Sequence, residues 1–236
     1  MWRLWFLITF IIVFILFMPL LFFFTTVYKK EKIIAHLARY WSKLTLWFSL
    51  LFCKITWETK LDSNEVYIFC PNHVSTLDIP FIYAVLKNPL QFIGKSDIAK
   101  IPLFGYFYKK NSIIVDRASI KNSYSAFLKA RKKLDERLSV CIFPEGGIPN
   151  KKIFLKKFKN GPFKLAIEKG IKIVPITIAD NKKKFPQEYF KGGPGILRAT
   201  VHKPIDPKKI TKKTVESLNK SVYNTIFDKL KIYESN

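Results

Sequence analysis

The sequence predicts an α/β domain, with a largely parallel central sheet flanked by helices, behind an N-terminal membrane-associated helical hairpin. Three observations carry this. Residues 4–28 contain no charged side chain. From residue 64 onward, short β-rich runs alternate with helical patterns, as βαβ units require. Hydrophobic residues make up 49% of the 236, with 22 Phe, enough to build both a core and a lipid-facing surface.

The elements follow in chain order. A span needs ~20 apolar residues, so the run 4–28 is long enough to cross a bilayer. Pro19 lies inside it as a possible kink. Only Arg3 precedes the run and no small-residue cleavage site follows it, which argues against a signal peptide. Lys29, Lys30 and Lys32 come directly after, placing that end on the cytoplasmic side. Residues 41–57 form a second apolar stretch broken only by Lys43 and Lys54. There Ser42, Thr45, Ser49 and Thr56 recur at helical spacing, the small-residue stripe that packs helix on helix in membranes. The expectation is a two-helix hairpin, or one span and one interfacial helix, over residues 1–60. Residues 61–236 are then expected to form the α/β domain.

Strands are expected at 66–70, 91–95, 112–116, 139–143, 172–178 and 196–202. The clearest helical pattern is 119–138, with Tyr124, Phe127, Leu134 and Leu138 on one face. A second amphipathic helix is expected at 211–233. Loops are marked at 182–184 and 192–195.

The formal net charge is +24, a field that attracts nucleic acid, anionic lipid or an acidic protein. No nucleic-acid-binding module accompanies it. Three widely spaced cysteines, Cys53, Cys70 and Cys141, show neither metal spacing nor a disulfide framework, as in a reducing compartment.

Chemistry concentrates in two short segments. Asn72-His73-Val74-Ser75-Thr76-Leu77-Asp78 follows the first expected strand, and open α/β sheets bind ligands outside the carboxyl ends of their strands. His73 and Asp78 would diverge by ~140° on one helix. They meet only if His73 lies in a turn and Asp78 begins the next helix, a geometry that Pro71 and Pro80 favour. A carboxylate so placed fixes the imidazole tautomer, and the imidazole can then remove a proton from a hydroxyl. Phe143-Pro144-Glu145-Gly146-Gly147 closes another strand. Its glycines let backbone amides approach an anion, and Glu145 could bind a substrate hydroxyl. Arg117 follows the strand at 112–116 and is a candidate bidentate phosphate ligand. His36 and His202 have no comparable context and are expected to be structural or solvated.

In order, these segments resemble the four blocks of the glycerolipid acyltransferase family. Asn72-His73-x-Ser75-x-x-Asp78 comes first, then the strand ending in Arg117, Phe143-Pro144-Glu145-Gly146, and Val174-Pro175-Ile176. Gly94-Lys95 and Phe158-Lys159-Asn160-Gly161 resemble the intervening segments. The resemblance implies an O-acyltransferase of phospholipid biosynthesis in a bacterial inner membrane, its catalytic domain cytoplasmic. His73 would be the general base on the sn-2 hydroxyl of a 1-acylglycerol-3-phosphate, with Asp78 orienting it. The donor would be acyl carrier protein or a coenzyme A thioester, without cofactor, metal or covalent enzyme intermediate. Asn72, Ser75, Lys95, Arg117, Glu145, Gly146 and Gly147 would line the substrate site. Lys95 or backbone amides would stabilise the oxyanion. The sequence departs from the family where Gly147-Ile148 stands in place of the usual Thr-Arg. That removes a cation near the acceptor phosphate, and Lys151, Lys152, Lys156 and Lys159 are the candidate replacements. It leaves open another acceptor, such as lyso-ornithine lipid. The reading from a different class is a basic, membrane-tethered binding protein.

Overall fold

The computed structural model describes residues 1–115, 120–150, 153–209 and 214–235. Helix α1, Trp2–Phe22, continues through a π-helical turn, Phe23–Val27, that follows Pro19. Proline donates no N–H to the helical ladder, and widened turns are a common way for a helix to absorb such a break. Helix α2, Glu31–Phe48, folds back along it. The stripe of small residues in α2 is buried, but it serves the protein interior: Ser42, Thr45 and Ser49 are all fully buried, and α2 packs on helix α3, Asp78–Val85.

The expected hairpin boundary at residue 60 needs correction. Helix α2 ends at Phe48, and Leu51–Trp57 is strand β1. The apolar stretch 41–57 is therefore half helix and half sheet edge, and Thr56 lies on the strand. The sheet also contains β2 (Ile68–Pro71), β3 (Leu90–Lys95), β4 (Ile113–Val115), β5 (Ser139–Cys141), β6 (Ile173–Ile178) and β7 (Gly195–Val201). Its order is β1-β7-β6-β2-β5-β3-β4. Every pairing is parallel except β6 with β7, so β1 and β7 run against the other five strands.

The remaining helices are α4 (Phe104–Asn111), α5 (Ile120–Asp135), α6 (Gly161–Lys169), the single turn α7 (Asn181–Lys184) and α8 (Val215–Ser235). Alternation along each strand divides the core into two layers. Phe69, Val174 and Leu197 face α2 and α3, whereas Ile68, Cys70 and Ile173 face α5, α6 and α8. The α8 stripe Leu218, Val222, Ile226, Leu230 is buried in the second layer, as its periodicity predicts.

Helix α1 lies against this domain along its whole length. At its start, the Trp2 indole donates to the Ser49 carbonyl at 3.0 Å and Arg3 donates to the Pro186 carbonyl. Midway, Phe14 meets Trp41, Phe104 and Phe107 edge-on. Beyond its end, Asn111 of α4 reaches Thr25 at 3.4 Å, and Glu31 opens α2 with an ion pair to Lys133 of α5 at 2.6 Å. The outer side of α1 is bare hydrocarbon, with Leu16 69% exposed.

Candidate active site

Strands β2, β5 and β6 are neighbours and parallel, so their carboxyl ends open at one edge of the sheet. Three segments meet there. Pro71 ends β2, and residues 72–77 turn into α3. Asp78 is the first residue of α3, and Pro80 sits in the first turn, where no N–H is required.

The turn places the His73 Nδ1 2.8 Å from Asp78 Oδ2. The same oxygen accepts the N–H groups of Val74 at 2.7 Å and Ser75 at 2.9 Å, while Oδ1 accepts the Asn181 amide at 2.8 Å. Asp78 is fully buried and surrounded by donors. A carboxylate only accepts, so Nδ1 is the donor of this pair, and in that tautomer the ring's lone pair lies on Nε2. The ring is further fixed by Phe143, stacked on it at 3.9 Å between centroids and 15° between planes.

Glu145 is 1% exposed, and both of its oxygens make contacts within the protein. One oxygen accepts the His73 N–H at 2.7 Å and the other the Lys156 N–H at 3.0 Å. The carboxylate therefore braces the base-bearing turn against the segment after β5. Burial pushes its pKa up, against the pull of those two amides and of His73. For a carboxyl raised in this way, the stability it contributes is complete below its unfolded pKa and is lost as pH rises through the folded value. Glu145→Ala is expected to strand two buried donors at about 1–3 kcal/mol each. Denaturant unfolding of the variant beside the parent measures this.

Asn72 is likewise a clamp. Its Nδ2 donates to the Ile178 carbonyl at 3.0 Å and its Oδ1 accepts the Ile178 N–H at 2.7 Å, tying the ends of β2 and β6. The Ser75 hydroxyl donates to the Phe185 carbonyl at 2.6 Å and accepts the Leu77 N–H at 3.3 Å, as a residue of the turn. Both side chains make these contacts within the protein. Lys95 ends β3 with a largely exposed side chain ion-paired to Asp97. No described contact joins it to His73. Arg117, Lys151 and Lys152 lie outside the described residues.

Gly146 adopts φ +75°, with the Lys159 side chain packed where a Cβ would project. Its N–H donates to the Phe143 carbonyl at 3.0 Å. Gly147 follows in the same loop. Behind Phe143 and Gly146 lies an apolar cavity of about 140 Å³, walled also by Ile93, Val115, Phe127 and Lys159. A larger one, about 240 Å³, opens beside Val74 between Asp180, Arg198 and Tyr233.

Sequence reasoning missed Asn181, which stands 103 positions from the aspartate that it supports. A lone Asn before a lysine run carries no local signal of that role. Phe143 was within a quoted motif, but its stacking on His73 depends on the adjacency of β2 and β5. His202 is structural: Thr177 and Glu58 occupy its two ring nitrogens at 2.8 and 2.7 Å, and burial lowers its pKa.

Residues 53–179 match the profile of the Acyltransferase family. A 1-acyl-sn-glycerol-3-phosphate acyltransferase of Borreliella burgdorferi is 27% identical over 190 residues, covering 80% of this chain and 75% of that one. One of Haemophilus influenzae is 27% identical over 194 residues, covering 81% and 79%. The crystal structure of the 1-acyl-sn-glycerophosphate (LPA) acyltransferase PlsC of Thermotoga maritima shares the fold, with a TM-score of 0.79 at 21% identity. The match covers 99% of this chain and 97% of that one. The family profile runs from within β1 to just past β6 and takes in His73, Asp78 and Glu145: the chain belongs to the Acyltransferase family.

Proposed function

We propose that this enzyme transfers a fatty acyl group from a thioester to the sn-2 hydroxyl of 1-acylglycerol-3-phosphate, making phosphatidic acid. The observation that carries the proposal is the buried His73–Asp78 pair, in which Nδ1 is engaged by the carboxylate. The Borreliella burgdorferi and Haemophilus influenzae relatives bear the name of this activity.

In this reading Nε2 of His73 takes the proton of the acceptor hydroxyl as its oxygen attacks the thioester carbonyl carbon. The C–S bond breaks, and the imidazolium returns its proton to the departing sulfur. The hydroxyl is itself the nucleophile, so no acyl-enzyme forms. Asp78 holds the ring and stabilises its charged form. The 140 Å³ cavity beside Phe143 accommodates part of an acyl chain, and the Lys159 ammonium at its wall supplies a cation near the Gly147-Ile148 departure. Arg117 remains a proposed phosphate ligand. The donor is acyl carrier protein or coenzyme A, and the reaction needs no cofactor.

The same proposal places α1 along one leaflet. A 21-residue helix is ~31 Å long, close to the ~30 Å hydrocarbon core. Both of its ends are fastened to the α/β domain. A perpendicular crossing would carry one of those attachments to the far side, whereas a helix lying in the interface keeps both. Lys29, Lys30 and Lys32 then face the cytoplasmic headgroups.

Purified protein in detergent micelles, given labelled acyl donors and a panel of lysolipids, tests the function. Transfer to 1-acylglycerol-3-phosphate is expected to exceed transfer to every other acceptor. Preference for lyso-ornithine lipid or a phosphate-free acceptor would replace this acceptor, the outcome motivated by the missing Arg after Gly147.

A further inference from the structure

Between α7 and β7 the chain forms a loop whose shape is fixed by its own bonds. The Gly193 N–H donates to the Lys184 carbonyl at 3.1 Å, and the Lys184 ammonium donates to the Pro194 carbonyl at 3.0 Å. These close the base. Gly192 has φ +96°, and a Cβ there would lie 2.4 Å from the Lys184 carbonyl oxygen, so only glycine permits the closure. At the tip, the Lys191 N–H donates to the Glu188 carbonyl at 3.1 Å, a turn that puts Tyr189 and Phe190 at its apex. Phe190 is 95% exposed and Tyr189 53%. The braced turn holds two aromatic rings together in solvent, and an apolar partner would gain by covering them.

The position of the loop identifies that partner. Arg3, at the start of α1, donates to the Pro186 carbonyl and lies 4.0 Å over the Phe185 ring and 5.9 Å from that of Tyr189. At the other end, the Gly195 N–H donates to the Leu50 carbonyl at 2.8 Å. Ile196 pairs with Phe52 across β7 and β1, and both are about half exposed, as is Leu50. The loop is thus joined at one end to the start of α1 through Arg3 and at the other to Leu50, just after α2. Arg, Tyr and Lys around an apolar tip are the residues that settle at a bilayer interface. We propose that the 185–195 loop is a second membrane-inserting element, with Phe190 entering the acyl region of the leaflet that receives α1. This rests on the membrane reading of α1. It adds a consequence for the site, because the Phe185 carbonyl at the base of the loop accepts the Ser75 hydroxyl at 2.6 Å. Seating the loop in lipid then positions the turn that carries His73.

The test uses the full chain in vesicles of mixed neutral and anionic phospholipid. Cys53→Ser removes the exposed thiol, while Cys70 and Cys141 are buried and stay unlabelled. A nitroxide is then attached in turn at Phe190→Cys, at Leu16→Cys on the outer side of α1, and at Lys220→Cys, exposed on α8. Collision rates with oxygen, which prefers lipid, and with a water-soluble nickel complex are measured at each. Position 190 is expected to match 16, favouring oxygen, and 220 to favour nickel. If 16 is in lipid and 190 behaves like 220, the loop proposal is overturned and the membrane reading of α1 stands. If 16 and 190 both behave like 220, the membrane reading itself fails and the loop proposal goes with it.

Discussion

Replacing His73 with alanine is expected to lower turnover by about 10²–10⁴-fold, the range for loss of a general base. The fold should survive. The His73 backbone N–H that binds Glu145 is retained, and Asp78 keeps the Val74 and Ser75 amides and the Asn181 amide. What disappears is the ring between Asp78 and Phe143. Turnover and circular dichroism measured on one preparation decide the matter. A folded variant with near-parental turnover would remove His73 from the chemistry. The loss should fall on kcat at saturating donor and acceptor, since the ring is needed in the transition state.

Asp78→Asn is expected to cost about 10³–10⁴-fold in turnover and to destabilise the chain as well. The reason is geometric. Oδ2 accepts three hydrogen bonds, from His73 Nδ1 and the amides of Val74 and Ser75, and Oδ1 accepts a fourth from Asn181. An asparagine can present its oxygen to only one of these two sets. If the amide nitrogen faces His73, it drives the imidazole into the tautomer with its proton on Nε2, which cannot act as a base. If it faces Asn181, that amide must turn over to offer its oxygen instead. Denaturant unfolding should show a loss of about 1–3 kcal/mol for the mismatched buried donor. Asp78→Ala should lose more in stability. Full turnover in Asp78→Asn would show that orientation of the ring does not depend on this carboxylate.

The central part of the molecule was legible because short strands and ordered blocks are local signals. All six strands expected after residue 64 are present with small shifts at their ends, and the tail helix buries the stripe its periodicity marks. Strand β1 was not legible. Leu50 ends α2 with φ +60°, a left-handed stop made by a residue that gives no glycine signal. The seven residues that follow are too few for periodicity to separate a strand from a helix. At the site, the His73–Asp78 turn was legible from two prolines and a spacing. Among the other polar residues of the motifs, Asn72 and Glu145 bind backbone groups of neighbouring segments, contacts that the motif spacing does not show. A one-dimensional motif shows that a polar side chain is needed, not whether its partner is a ligand or a neighbouring strand. Asn181 belongs to a contact made only by the adjacency of β2 and β6, which no window of sequence contains.

The fastening of α1 has a practical consequence for anyone preparing the enzyme. Many tethered enzymes can be freed by cutting the anchor away, because the tether touches little else. Here Phe6 lies in the same buried cluster as Leu46, Leu51 and Phe81, and Phe14 shares another with Trp41 and Phe107. A chain shortened to begin after Tyr28 would uncover Leu46, Trp41 and Phe107, and would deprive the 185–195 loop of Arg3. Such a truncation should aggregate or lose activity instead of yielding a soluble catalyst. On the proposed membrane reading of α1, the full chain is expected to stay monodisperse only with detergent or lipid present, which size-exclusion chromatography with and without detergent checks.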